Sequence, residues 1–305
     1  MSKPLQHIVS IGECMAELSP LMEPDNQYAL NFAGDTYNTA VYMSRLLAPE
    51  YLIHYATVVG NDPISQKMLA AFSREGLDQA LVFQHTTKSI GLYLIENDAK
   101  GERIFQYWRD DSAARTLMDS DRETQLAAAL SNADLVYVSG ISLAILPTQG
   151  RQKLIDLLKQ SNTPIAFDPN HRPRLWNSLE EARENYERIS AISTYILASH
   201  EDNQAIWDVM HPQDGLKLWR ATSDAEVVIK NGSLTTLAEN NIENTEVTPD
   251  PVDRPIDTTG AGDAFNAAYL AARLQGKDLA LSIGEAHCLA RRVIMNHGAI
   301  LATHN

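Results

Sequence analysis

The stretch Asp257-Thr258-Thr259-Gly260-Ala261-Gly262-Asp263 decides how this chain is read. Three prolines, Pro249, Pro251 and Pro255, break the segment before it, and an apolar, alanine-rich run with the character of a helix follows from Ala264 to Leu274. Small residues ahead of a helix let backbone N–H groups turn toward one point, where the helix start adds a partial positive charge. Such a point suits a phosphate, or the charge that develops in a transition state. Asp263 stands at its mouth. A carboxylate beside an anion hole is electrostatically unfavourable unless its basicity is needed, for instance to take a proton from an attacking hydroxyl. The plain alternative is a capping Asp behind two turn glycines. Two aspartates, two threonines and the Gly-Ala-Gly trio together weigh against it.

A chain of 305 residues can bury a large core and fits one α/β domain. Its apolar content of 44% is that of a folded protein. The net charge of −14 argues against nucleic acid or an anionic membrane as partner. It also means that an anionic substrate must be met by locally placed arginines. Cys14 and Cys288 lie far apart without a partner motif, which fits reduced thiols in a cytoplasmic protein and gives no zinc spacing. No apolar run reaches ~18 residues, so neither a membrane span nor a signal peptide is expected.

In chain order, Ile8–Gly12 is a first buried strand, and the chain from Glu13 to Phe32 alternates as two short strands around a turn at Pro24-Asp25-Asn26. A helix is expected over Tyr37–Leu47, capped by Thr36 or Asp35, with Asn38 in its first turn. Ile53–Val59 is a strand, and Pro63 opens a helix to Glu75. Residues 90–109 form two extended runs joined at Asn97–Gly101, with Arg103, Phe105, Tyr107 and Arg109 on one face and Ile104, Gln106 and Trp108 on the other. A sheet apolar on both faces must cover something on each, such as a ligand and a partner subunit. After Asp121, strands at Leu135–Val138, Ile165–Asp168, Tyr195–Ala198 and Val227–Lys230 alternate with helices starting near Pro147, Ser178 and Asp278. That rhythm implies a largely parallel sheet covered on both faces, with ligands beyond the carboxyl ends of its strands. Glu239–Pro255 is polar loop with one or two edge strands.

Competing nucleotide motifs are missing: there is no Gly-x-x-x-x-Gly-Lys-[Ser/Thr], and the Gly-x-Gly at 260–262 lacks the third glycine of a dinucleotide fingerprint. The 257–263 run resembles the Asp-Thr-x-Gly-Ala-Gly-Asp signature of the ribokinase-like (PfkB) carbohydrate kinases at every position. The resemblance covers the whole chain. It implies a three-layer α/β/α fold with a mostly parallel central sheet, formed by one domain over residues 1–305, and a small β-sheet lid from segments at about 13–35 and 89–109. It implies Asp263 as catalytic base and Gly260, Ala261 and Gly262 as the anion hole. It also implies ATP with Mg²⁺, and a monovalent cation such as K⁺ at Asp257 and Thr259. The family's Gly-Gly-x-x-x-Asn-x-Ala pattern is matched at Gly34 and Asn38, which contact the sugar, while Ala33 departs from the first glycine.

Within the family, four runs are similar to 2-keto-3-deoxygluconate kinases: Gly12–Met15, Tyr107–Arg109, Ser139–Leu146 and Phe167–Trp176. That resemblance places Tyr93, Tyr107, Arg109 and Arg172 around an acid sugar, where a guanidinium would pair with its carboxylate. On the nucleotide side it implies Asn170, Lys230, Gly232, Ser233, His287 and Asn296, with Ser199 and Asp202 standing where the family has Asn-x-x-Glu. The reaction it implies is ATP-dependent phosphorylation of 2-dehydro-3-deoxy-D-gluconate, by a homodimer or larger assembly. Two other readings stay open: the same fold acting on a neutral sugar such as fructose or ribose, and a non-catalytic nucleotide-binding regulator.

Overall fold

The computed structural model describes residues 5–21, 27–97 and 103–302. The turn at Pro24-Asp25-Asn26 and residues 98–101 of the hairpin turn lie outside them. In chain order the strands are β1 (Gln6–Ile11), β2 (Met15–Pro20), β3 (Tyr28–Ala33), β4 (Tyr51–Val59), β5 (Val82–Gln84), β6 (Leu92–Asn97), β7 (Arg103–Trp108), β8 (Leu135–Ser139), β9 (Ile165–Asp168), β10 (Tyr195–Ser199), β11 (Glu226–Lys230), β12 (Thr236–Glu239) and β13 (Asn244–Val247). The helices are α1 (Asp35–Leu47), α2 (Pro63–Arg74), α3 (Ser120–Ser131), α4 (Gly140–Ile145), α5 (Thr148–Ser161), α6 (Leu179–Ser190), α7 (His200–Trp207), α8 (Pro212–Thr222), α9 (Ala261–Leu274) and α10 (Leu279–Ile294).

The large sheet has the order β13-β12-β11-β10-β9-β8-β1-β4-β5. Neighbours from β11 to β5 are parallel, and β12 and β13 return antiparallel at one edge. Side chains alternate across a strand, so each strand feeds two cores. In β8, Val136 and Val138 enter one core with α3 to α8, while Leu135 and Tyr137 enter the other with α1, α2, α9 and α10. The layers are therefore helix, sheet, helix. No helix among the described residues is long and apolar enough to cross a membrane.

A second sheet, ordered β3-β2-β6-β7, stands apart from the first. β2 and β6 run parallel, and the outer pairs are antiparallel. Register pairs Tyr93 with Tyr107 and Ile95 with Phe105 on one face. There the rings of Tyr93, Phe105 and Tyr107 gather with Met15, Ala33 and Ile95. The other face rests Ala16, Leu30, Phe32 and Leu92 on the main core, while Ile104 and Trp108 are about half exposed. The expected two-faced apolar sheet is thus present.

Three local expectations change. α1 begins at Asp35, with Gly34 at its N-cap and no side-chain cap. Asp35 and Thr36 are drawn elsewhere: Asp35 Oδ2 accepts from Asn170 Nδ2 at 2.8 Å, and Thr36 Oγ1 pairs with Tyr55 Oη at 3.1 Å. A short helix, α4, precedes the one expected near Pro147, because Ser139 and Ser142 form a reciprocal capping box there. α9 starts three residues earlier than Ala264, so Asp263 lies inside the first turn.

Gly34 joins the two sheets by close approach, not by an unusual dihedral. A Cβ there would lie 2.2 Å from the backbone oxygen of Glu13. Gly34→Ala is expected to push the β1–β2 and β3–α1 connections apart at a cost of about 1–3 kcal/mol, read as a lowered unfolding midpoint in denaturant. An unchanged midpoint would show that the two backbones are not in contact.

Candidate active site

The site grows from the start of α9. Gly260 is its N-cap with φ 75°, a left-handed conformation that favours glycine, and a Cβ there would meet Ala299 at 2.8 Å. No side chain caps this helix. The first-turn N–H groups of Gly262 and Asp263 have no partner within the helix, whereas Ala261 N donates to Thr258 O at 3.2 Å. Of the three amides expected to form the anion hole, Ala261's is therefore shared with a turn. Asp257 braces that turn: it is buried, and its carboxylate accepts from Thr259 N at 3.0 Å and Gly298 N at 2.7 Å.

Asp263 is half-buried and tied to α1, accepting from Asn38 Nδ2 at 2.8 Å. Thr39 Oγ1 donates to its backbone oxygen at 3.3 Å. Its carboxyl is pushed up from 3.8 to about 7. Burial is the largest cause, the negative charges of Asp35 and Asp168 add to it, and Asn38 and Lys230 oppose it.

Behind Asp263 lies a buried polar network at the carboxyl ends of β9 and β11. Asp168 accepts from Asn266 Nδ2 at 2.6 Å, from Lys230 Nζ at 3.1 Å and from Asn170 N at 3.0 Å. Lys230 Nζ also donates to Asn266 Oδ1 at 2.9 Å, and Asn266 Nδ2 to Tyr137 Oη at 3.0 Å. Asn170 extends the network to Asp35, donating Nδ2 to its Oδ2 at 2.8 Å. Lys230 thus bonds Asp168 and partly offsets the charge around Asp263.

The loop after β9 carries Arg172 outward. It is exposed, and its Nη1 donates to His171 O at 2.9 Å. The loop is held from beneath: His171 N donates to Asp202 Oδ1 at 3.0 Å, and His171 Nδ1 pairs with Tyr186 Oη at 2.9 Å. Asp202 is half-buried in the first turn of α7, which Ser199 caps through Asp202 N at 2.9 Å, and desolvation with nearby Asp168 raises its carboxyl. Arg109, by contrast, is buried and ion-paired with Glu13. Tyr93 Oη donates to buried Glu17. Tyr107 is about half exposed.

On the nucleotide side the expected residues are more dispersed. Gly232 and Ser233 form the exposed turn between β11 and β12, with Gly232 at φ 56°. His287 packs on Phe265 and bonds Thr236 Oγ1 at 2.9 Å through Nε2, and burial lowers its pKa. Asn296 is exposed and returns its amide to Arg292 O at 2.8 Å. Among the described residues, no group of three or more His, Cys, Asp and Glu side chains gathers as a metal site.

Sequence reasoning gave no role to Glu13, Glu17, Asp168 or Asn266. Asn266 had a signal: it sits three residues after Asp263, on the same helical face, in a run otherwise apolar or small. Asp168 had another, as a charge ending an apolar strand.

The description "pfkB family carbohydrate kinase" matches residues 5–305. The chain belongs to that family. It is a carbohydrate kinase, and its two-sheet architecture is the ribokinase-like fold. The 2-dehydro-3-deoxygluconokinase of Escherichia coli K12 is 38% identical over 301 residues, covering 96% of each chain. That of Dickeya dadantii is 38% identical over 303 residues, covering 97% of each. The solved 2-dehydro-3-deoxygluconokinase of Thermotoga maritima is 18% identical with a TM-score of 0.80, covering 98% of this chain and 96% of that one, a likeness of fold.

The raised carboxyl of Asp263 has a consequence for stability. Between pH ~4 and ~7 the native state holds a proton that the unfolded chain has released, so this group opposes folding more as pH rises, fully so above 7. Asp263→Asn is expected to stabilise the protein by ~1–4 kcal/mol at pH 8 and by nothing near pH 3.5. Urea unfolding at the two pH values checks this, and an equal effect at both would contradict the shift.

Proposed function

We propose that this kinase transfers the terminal phosphoryl group of ATP to the 6-hydroxyl of 2-dehydro-3-deoxy-D-gluconate. The carrying observation is a carboxylate with its pKa pushed up to about 7, standing in the first turn of a helix without a side-chain cap. A base with a pKa near neutrality takes a proton at neutral pH and still gives it up. Asp263 removes the hydroxyl proton, the freed oxygen forms the new bond to phosphorus, and the bridging bond to the leaving ADP breaks. The open amides of Gly260 and Gly262, with the helix dipole, meet the charge spread over the phosphoryl oxygens. Mg²⁺, carried on the nucleotide, supplies further charge neutralisation there. Such an ion keeps much of its water and needs few protein ligands, which suits a site without a carboxylate cage.

The substrate follows from the names of the relatives at 38% identity and from the chemistry of the loops. Arg172 is exposed and, among the described residues, forms no ion pair with a carboxylate, which leaves its guanidinium to take the sugar's acid group. Gly34 and Asn38 border the sugar beside Asp263, and Tyr93, Tyr107 and Arg109 approach from the small sheet. In this reading residues 13–35 and 89–109 are a lid on a single domain, and Tyr28, Ile104 and Trp108, exposed at the margin of the face opposite the ring cluster, meet a second copy of the chain. Asn170, Ser199, Lys230, Gly232, Ser233, His287 and Asn296 lie along the nucleotide, and Asp257 and Thr259 carry a monovalent cation such as K⁺. A cytoplasmic enzyme is the matching location.

A panel of sugars in an ADP-release assay tests the substrate. The sugar acid is expected to exceed fructose and ribose in kcat/KM by ~100-fold or more; preference for a neutral sugar would reject the reading. Arg172→Ala should raise the sugar-acid KM by ~10-fold or more and leave the ATP KM unchanged, whereas equal losses for both would remove Arg172 from the sugar site. Because the base must be deprotonated, kcat/KM should fall about tenfold per unit as pH drops below ~7 and stay level above it. A profile flat from pH 5 to 8 would contradict the assigned base.

A further inference from the structure

The small sheet is joined to the large one by connections that crowd around one side chain. Gly12-Glu13-Cys14 leads from β1 to β2, Gly34 joins β3 to α1, Gly91 enters β6, and Arg109 leaves β7. Glu13 touches the other three. Its backbone oxygen lies where a Cβ of Gly34 would be, its Oε2 accepts from Arg109 Nη2, and its Oε1 lies 2.8 Å from where a Cβ of Gly91 would be. Glu13 is 2% exposed and Arg109 8%.

The pair is a poor choice for stability alone. Two charges removed from water gain little over an apolar pair of the same volume. Moreover, among the described residues Glu13 Oε1 and Arg109 Nε are buried without a hydrogen-bond partner. A half-satisfied buried ion pair needs another reason to be there. Glu13 itself is too enclosed to touch a ligand, because Gly91 lies against its free oxygen. Its side chain reaches the proposed sugar site through Arg109.

We infer that Glu13 is a positioning residue, which holds the Arg109 guanidinium in one orientation at the root of the small sheet so that its remaining N–H groups meet the sugar acid. This rests on the proposed contact between Arg109 and the sugar. Glu13 also neutralises Arg109. Arg109 therefore contributes directed hydrogen bonds, and the excess charge of the substrate's acid group falls to Arg172. Gly91 is part of the device: a Cβ there would lie 2.8 Å from Glu13 Oε1, 3.0 Å from Met15 Cγ and 3.2 Å from Arg109 Cβ, so any side chain would crowd both members of the pair.

Four variants test it in the intact enzyme, each assayed for the KM of sugar acid and ATP, kcat and unfolding midpoint. Glu13→Ala removes the acceptor. Glu13→Gln keeps reach and an acceptor but loses the charge. Gly91→Ala keeps the charge and crowds Oε1, and it serves if the first two fold poorly. Arg109→Ala is the reference. The sugar-acid KM is expected to rise roughly 10-fold in Glu13→Ala and Gly91→Ala and less in Glu13→Gln, with the ATP KM within about twofold. A wild-type sugar KM in Glu13→Ala and Gly91→Ala, or sugar and ATP KM rising together with a lowered midpoint, would overturn the positioning role. If Arg109→Ala raises the sugar KM while the Glu13 and Gly91 variants do not, this inference fails and the sugar-site reading of Arg109 stands. If Arg109→Ala leaves the sugar KM unchanged, the underlying contact fails and this inference with it.

Discussion

Asn38 donating to Asp263 is the contact around which the rest is arranged. It fixes a carboxylate in the first turn of α9, close enough to Asp35 and Asp168 that their charges, added to burial, raise its pKa to about 7. A lone surface aspartate would be a weak base. One held among like charges with little solvent is a stronger one, because each neighbour favours the protonated form. The same crowding would resist an incoming phosphate. In the proposed reading, Lys230 and the uncapped first turn of α9 are what make the region tolerable to a second anion. Basicity and anion tolerance are thus set by different groups within one site.

The large sheet makes that arrangement possible. Asp168 and Lys230 come from the ends of parallel strands β9 and β11, and α1 and α9 pack on the same side of the sheet through Tyr37, Ala40, Val41, Ala264 and Ala267. A parallel sheet brings the carboxyl ends of its strands, and the loops that follow them, to one edge. The 169–174 loop rides on Asp202 and Tyr186, so Arg172 is presented by a fixed base and not by a free segment. The small sheet is a different kind of element. Its ring cluster is separate from both main cores, and it is anchored to them by Ala16, Leu30, Phe32 and Leu92.

Much of this could be read in the sequence, for physical reasons. Strands buried on both faces are continuous apolar runs, so β8, β9, β10 and β11 were plain. Pro63 and Ser178 marked where α2 and α6 begin, and in the structure Asp62 and Ser178 cap those helices through their side chains. The signature at 257–263 located the start of α9 to within a turn. What failed was local chemistry decided by distant partners. Asp35 and Thr36 look like caps, yet Asn170 and Tyr55 claim them across the fold. Arg109 pairs with buried Glu13, 96 residues away, a partner that nothing near it in the sequence announces. Pairings at such separation leave no periodic trace, and a buried carboxylate in sequence is indistinguishable from a solvated one.

In the proposed reading, the acidic chain, with a net charge of −14, meets an acidic substrate without a general positive field. Two arginines are kept near the site in opposite states, Arg172 exposed and Arg109 neutralised, while the nearby carboxylates hold the reacting end basic. The claim underneath is that Asp263 acts on the proton and not on the binding. It is tested most directly by measuring, in Asp263→Asn, both the sugar-acid Kd by calorimetry and kcat. Turnover should fall by ~10²–10⁴-fold with Kd within a few-fold of the wild type. Turnover within about tenfold of the wild type, or binding and turnover lost together, would contradict the account.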